Sequence, residues 1–119
     1  MNQKDSMCQH KLMVTRDAVD VIQGKWRLPI VLALTFGPKR FGELQREIVD
    51  ISPKMLSQEL KALEENKIII RTLYDSMPVT VEYSLTPLGM SMKKLLDELL
   101  KWGVHLREEV IGKTTSKKS

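Results

Sequence analysis

Between Ser52 and Leu85 the apolar period switches abruptly from helical to extended, and this switch constrains the chain more than any other feature. Ser52 is a good N-cap and Pro53 a good first helical residue: the serine hydroxyl can accept a free backbone N–H, and proline has none to satisfy. Leu56, Leu60 and Leu63 follow at spacings that stack them on one helical face. Lys54, Gln58, Lys61 and Glu65 fall on the opposite face, with Ser57 on its flank. Asn66 is expected to close the helix in a left-handed conformation. Ile68 to Tyr74 then reads as a strand, Asp75-Ser76-Met77-Pro78 as a turn, and Val79 to Leu85 as a second strand of alternating character.

The flanks complete the outline. Residues 1–14 are polar and non-periodic, which predicts a flexible leader. Thr15 can cap a first helix whose buried stripe is Ala18, Val21 and Ile22. Gly24 interrupts it, and a second helix begins near Trp26, where Pro29 is tolerable in the first turn. From Leu28 to Phe36 that helix is apolar nearly all round, so it is expected to be the buried central element, ended by Gly37-Pro38. Phe41, Leu44 and Ile48 mark a short third helix, and Val49-Asp50-Ile51 turns the chain into Ser52. After the hairpin, Thr86-Pro87 repeats the cap-plus-proline signal and opens a long last helix.

The expected architecture is therefore mainly α with a β-hairpin (α+β): three helices, a fourth behind a tight turn, the hairpin and a long helix. Two helices joined by a short turn, the second exposed on one side, make a helix-turn-helix, and the hairpin after it makes a winged helix. The domain boundaries read as 1–14 leader, 15–85 winged helix-turn-helix, 86–112 C-terminal dimerisation helix and 113–119 disordered basic tail. In this arrangement the helix after Ser52 is shaped to enter a DNA major groove. Lys54, Ser57, Gln58 and Lys61 supply donors for base edges and phosphates. Lys39 and Arg40 sit just ahead of the third helix, where a cation opposes the helix dipole unless a phosphate lies there too. Ser52, and Arg71 on the first wing strand, complete the candidate DNA-binding set.

Composition agrees and excludes some classes. A chain of 119 residues, 42% apolar and 29% charged, fits one ordinary globular domain, and its net charge of +4 suits a polyanionic partner. The longest apolar run, Leu28 to Leu34, is too short to span a membrane, and the N-terminus holds no apolar core of signal-peptide length. The single cysteine, Cys8, can form no intrachain disulfide, which favours a reducing, cytoplasmic setting. Catalytic and metal chemistry are thinly supported: His10 and His105 lie at opposite ends of the chain, and Cys8-Gln9-His10 offers two metal ligands where a structural zinc site takes four. No cofactor is expected.

The segments GKWRLPIVLAL, GPKRFGELQREI, ISPKMLSQELKALEEN and VEYSLTPLGMSM closely resemble the HxlR-type family of bacterial winged-helix transcription regulators, in one register from about Thr15 to Trp102. The resemblance implies a homodimer on a palindromic operator of double-stranded DNA, with Ser52 to Lys61 forming the recognition helix, and no enzymatic activity. Three departures stand out. Where members commonly carry a redox-active or aldehyde-sensitive cysteine, thirteen residues before the tryptophan, this chain has Met13, and the candidate redox sensor is Cys8 instead. Thr80 replaces a wing arginine. Lys67 stands where the turn after the recognition helix usually has glycine, so that Asn66 is expected to take the left-handed position.

The last helix carries Leu88, Met92, Leu95, Leu99, Trp102 and Leu106, spaced four, three, four, three, four, a pattern that favours packing against another helix. A helix of about 25 residues runs roughly 37 Å, longer than so small a core covers, so these six are the expected dimer interface. The rival reading is a winged-helix module for protein–protein assembly without DNA binding, and its supporting feature is the acidic Asp75 at the wing tip.

Overall fold

The computed structural model describes residues 3–112. In chain order it contains α1 (Gln3–Ile22), α2 (Arg27–Leu34), β1 (Lys39–Arg40), α3 (Phe41–Glu47), α4 (Pro53–Glu65), β2 (Ile69–Tyr74), β3 (Thr80–Leu85), α5 (Pro87–Met90) and α6 (Lys93–Leu106), followed by a π-helical turn at Arg107–Ile111. The three strands form one antiparallel sheet in the order β1-β3-β2. Arg71 faces Tyr83 and Tyr74 faces Thr80 across the hairpin, and Lys39 faces Tyr83 on the other edge of β3. Being central, β3 is half-buried along its whole length and not cleanly alternating.

The core lies where α2, α3, α4, the start of β2 and the beginning of the C-terminal helices converge. Ile30, Val31, Leu34, Leu44, Leu56, Leu60, Leu63 and Ile69 are its most enclosed side chains. α4 begins as its sequence dictates, with the Ser52 hydroxyl accepting the Met55 N–H at 3.1 Å and Pro53 in the first turn. It ends differently. Asn66 keeps φ at −88°, and Lys67 takes the left-handed position at φ 62°. The Ile68 N–H returns to the Leu63 carbonyl and the Lys67 N–H to Glu64, each at 3.0 Å, a Schellman closure that requires the left-handed residue one position beyond Asn66. The Asn66 side chain instead caps the Ala62 carbonyl at 2.9 Å.

Other expectations need correcting. The leader is helical from Gln3 onward, and Thr15 lies inside α1, where its hydroxyl donates to the Lys11 carbonyl at 2.7 Å instead of capping an N-terminus. α2 is not enclosed all round, since Leu32 is exposed, as is Phe36 just beyond its end. The long last helix is broken. Thr86 caps α5, accepting the Gly89 N–H at 3.0 Å and donating to the Lys67 carbonyl at 2.6 Å. A Cβ at Gly89 would collide with the Ile68 carbonyl, so only glycine allows this approach. The Met92 N–H then bonds to Gly89 three residues back, tightening the turn and carrying Met92 into the core before α6 starts. Residues 113–119, expected to be a disordered tail, lie outside the described residues.

Candidate nucleic-acid interface

α4 is gripped by its inner face. Leu56, Leu60 and Leu63 are at most 1% exposed, so the helix cannot roll without opening the core. That fixes Lys54, Ser57, Gln58 and Lys61 on the solvent side, and all four are exposed. The ion pairs among the described residues are Arg27–Glu59, Lys39–Glu47 and Lys101–Glu98, so the Lys61–Glu65 pair that the spacing permits is not made. Lys61 keeps its charge available. Ser52 spends its acceptor on the cap and stands at the N-terminal end of the same surface.

A fourth contact steadies the helix from its flank. Arg27, at the start of α2, places Nε 3.1 Å from Glu59 Oε1 on α4, while its Nη1 donates to the Val21 carbonyl at 2.8 Å and the Asp20 carbonyl at 3.3 Å. Nothing local in the sequence marks this arginine. Its partner lies thirty-two residues away, and only the fold brings the two together.

The residues ahead of α3 divide. Lys39 is committed to Glu47, Nζ to Oε2 at 3.0 Å, with only 17% of its side chain exposed, so it is not the free cation the sequence implied. The Arg40 backbone N–H donates to Glu43 Oε1 at 2.8 Å, and its side chain faces solvent. It lines a polar cleft of about 600 Å³ with Pro38, Gly42, Glu43, Arg46 and Glu82. Arg46 was not among the expected residues. The only local signal for it was a cation on the outer side of the first helix of the helix-turn-helix.

On the wing, Arg71 is exposed and is the one cation within β2 and β3. Thr80 is half-buried, and the tip beyond it carries Asp75 and a fully exposed Met77. Glu82, diagonal to Tyr74 across the hairpin, favours the protonated phenol and repels a phenolate, which raises the Tyr74 pKa above its ordinary value.

The proposed dimer residues separate too. Leu88, Leu95, Leu99, Trp102 and Leu106 are exposed, Leu99 by 40% and Trp102 by 58%, whereas Met92 belongs to the core with Leu96. α1 is the more extreme case: residues 6–20 are all exposed, Met7, Leu12, Met13, Val14 and Val19 among them, and it meets the body through Val21 and Ile22. The free Cys8 thiol is exposed on this helix. The radius of gyration is 17.9 Å, against about 13–14 Å for a compact domain of this length. No helix among the described residues is long and apolar enough to cross a membrane.

Comparison with known proteins bears on this surface. The profile of the HxlR-like helix-turn-helix family matches residues 21–110. The Bacillus subtilis (strain 168) HTH-type transcriptional regulator YtcD is 42% identical over 98 residues, covering 82% of this chain and 78% of that protein. Among solved structures, a MarR-family regulator from Porphyromonas gingivalis W83 superimposes with a TM-score of 0.72 at 41% identity, covering 76% of this chain and 88% of that one. The redox regulator HypR in its reduced form gives a TM-score of 0.76 at 33% identity over 81% of this chain and 95% of that one.

Proposed function

Because the chain belongs to the HxlR-like helix-turn-helix family and is a transcriptional regulator, we propose that it acts in the cytoplasm as a homodimer on a palindromic DNA operator, with α4 as the recognition helix. The observation that carries this reading is the two-sided construction of α4: a leucine stripe locked into the core and an opposite face of exposed donors, Lys54, Ser57, Gln58 and Lys61. Such a face can present side chains to base edges in the major groove, while Arg40 and Arg71 reach phosphates on either side. The apolar surfaces of α1 and α6 supply the dimer contact, and two-fold symmetry would set the recognition helices about one DNA turn, roughly 34 Å, apart.

The test is a binding titration at several salt concentrations, using fragments recovered from sheared genomic DNA beside random-sequence duplex. Affinity for a palindromic fragment that falls steeply with salt is expected, because phosphate contacts release counterions. Binding insensitive to salt and to sequence would favour the assembly-module reading, to which the acidic wing tip at Asp75 lends support.

Cys8 gives a second layer. HypR is a redox regulator, and an exposed thiol on the helix proposed for dimerisation is placed to alter subunit geometry when oxidised or alkylated. Operator affinity of Cys8→Ser and the parent protein, each before and after oxidant or aldehyde, is the measurement. A response in the parent that the variant lacks is expected, and identical responses would end the idea.

A further inference from the structure

One side chain, that of Arg27, hydrogen-bonds to both α1 and α4. Beyond Val21 and Ile22, α1 has almost no packing that fixes its angle to the body, and the Gln23–Trp26 link, with Gly24 at φ 100°, leaves a pivot between α1 and α2. Arg27 spans that pivot. Its Nη1 reaches the Val21 and Asp20 carbonyls, which belong to the last turn of α1 and lack helical partners, and its charge suits the negative end of that helix. Its Nε edge meets Glu59, which sits on α4 next to the exposed Gln58. Both side chains of the pair are largely shielded, at 19% and 17% exposure, so solvent screens the contact only partly. A guanidinium is planar and rigid, so a tilt of α1 must either break one of these bonds or move α4 with it.

We infer that Arg27 is a positioning residue that ties the recognition helix to α1, one of the two helices proposed for the dimer contact, and so sets the half-site spacing the dimer accepts. This inference rests on the dimeric, operator-binding reading. If α1 meets a second subunit, the separation and tilt of the two recognition helices follow from the angle between α1 and α4 in each protomer. Adding one base pair between half-sites rotates one of them by about 34–36° and shifts it by about 3.4 Å. A rigid link makes that change costly, and a loosened one absorbs it.

The experiment measures affinity for a series of operators whose half-sites are closed up or separated by single base pairs, beside a lone half-site and a random-sequence duplex. The parent protein should favour one spacing, losing about tenfold or more at one added base pair. Arg27→Gln should flatten this preference to about twofold to threefold while affinity for the lone half-site stays within about twofold. Arg27→Lys should behave like Arg27→Gln, because an ammonium on a flexible stem cannot hold Glu59 and the α1 carbonyls from two edges of one plane. Glu59→Gln, which preserves an acceptor, guards against a fold defect in the arginine variants and should flatten the preference less. An Arg27→Gln protein that melts earlier yet keeps the full spacing penalty would overturn the inference and leave the pair as a fold contact. A parent protein that binds no palindrome at any spacing would overturn the dimer reading itself.

Discussion

α4 and α6 carry similar apolar patterns and meet opposite fates. Leu56, Leu60 and Leu63 on α4 vanish into the core, whereas Leu95, Leu99, Trp102 and Leu106 on α6 stay open, and only Leu96 of that helix is enclosed. Apolar periodicity identifies a helix and the face it must bury, but says nothing about what lies against that face. The side chains that play no part in this core are the ones the proposed dimer would use. Their exposure, together with the bare length of α1, is why the molecule spans more than a chain of its size needs.

The sharpest way to break this contrast is a pair of matched truncations. Leu60→Ala opens a cavity at a fully enclosed site and should lower the stability of the chain by about 2–5 kcal/mol. Leu99→Ala should change monomer stability by well under 1 kcal/mol, since a side chain already 40% exposed leaves little cavity behind. Urea unfolding at low protein concentration compares the two, and equal losses would mean that α6 packs against its own core.

Next in size is the loss of assembly. Leu99→Asp or Trp102→Asp places a charge on the α6 surface, and desolvating it in an interface costs several kcal/mol. These variants should sediment as folded monomers and lose operator binding, although α4 is untouched. Sedimentation beside a binding titration checks this, and a dimer that persists in both variants would move the interface to α1 alone.

Most of α4 and the wing was legible because the signals are local. The Ser52-Pro53 start, the leucine spacing, the Thr86-Pro87 cap and the hairpin each lie within a few consecutive residues. What escaped depends on partners far along the chain. β1 is two residues long and exists only by pairing with β3. Lys39 looked free until the fold brought Glu47 beside it. Arg27 acquired its role from Glu59, and Met92 left the expected interface because the turn at Gly89 rotates it inward. Local misses remained as well: the left-handed residue after α4 is Lys67 and not Asn66, and in the early part of α1 Met7, Val14, Ala18 and Val21 keep a helical spacing of seven, four and three, but Lys11 interrupts the stripe.

On the outer face of α4 the effect should be a matter of choice between sequences. Gln58→Ala should reduce discrimination between operator and random DNA by about 1–3 kcal/mol if its amide pairs with a base edge. Lys61→Ala should weaken both kinds of binding about equally and shallow the salt slope by about one. The same titrations measure both. Were Gln58→Ala to lower both affinities alike, the amide would be contacting the backbone, and α4 would hold the DNA without reading it there.

The smallest effect tests how firmly α4 is finished compared with α6. α4 ends in a closure that ties it to the sheet and, through the Lys67 carbonyl, to Thr86 at the start of α5. α6 runs on into a π-helical turn that ends at Gly112. The closure of α4 depends on Lys67 holding φ at 62°, a conformation that costs a residue with a Cβ about 1–2 kcal/mol. Lys67→Gly removes that strain but frees the unfolded chain, which offsets about 0.4–1 kcal/mol of the gain. The net expectation is a stabilisation of about 0.5–1 kcal/mol, read as a higher urea midpoint with an unchanged slope. Lys67→Val should move the midpoint the other way, because a β-branched side chain tolerates positive φ least. If glycine lowers the midpoint, the lysine side chain must be contributing something to this turn that its backbone strain conceals.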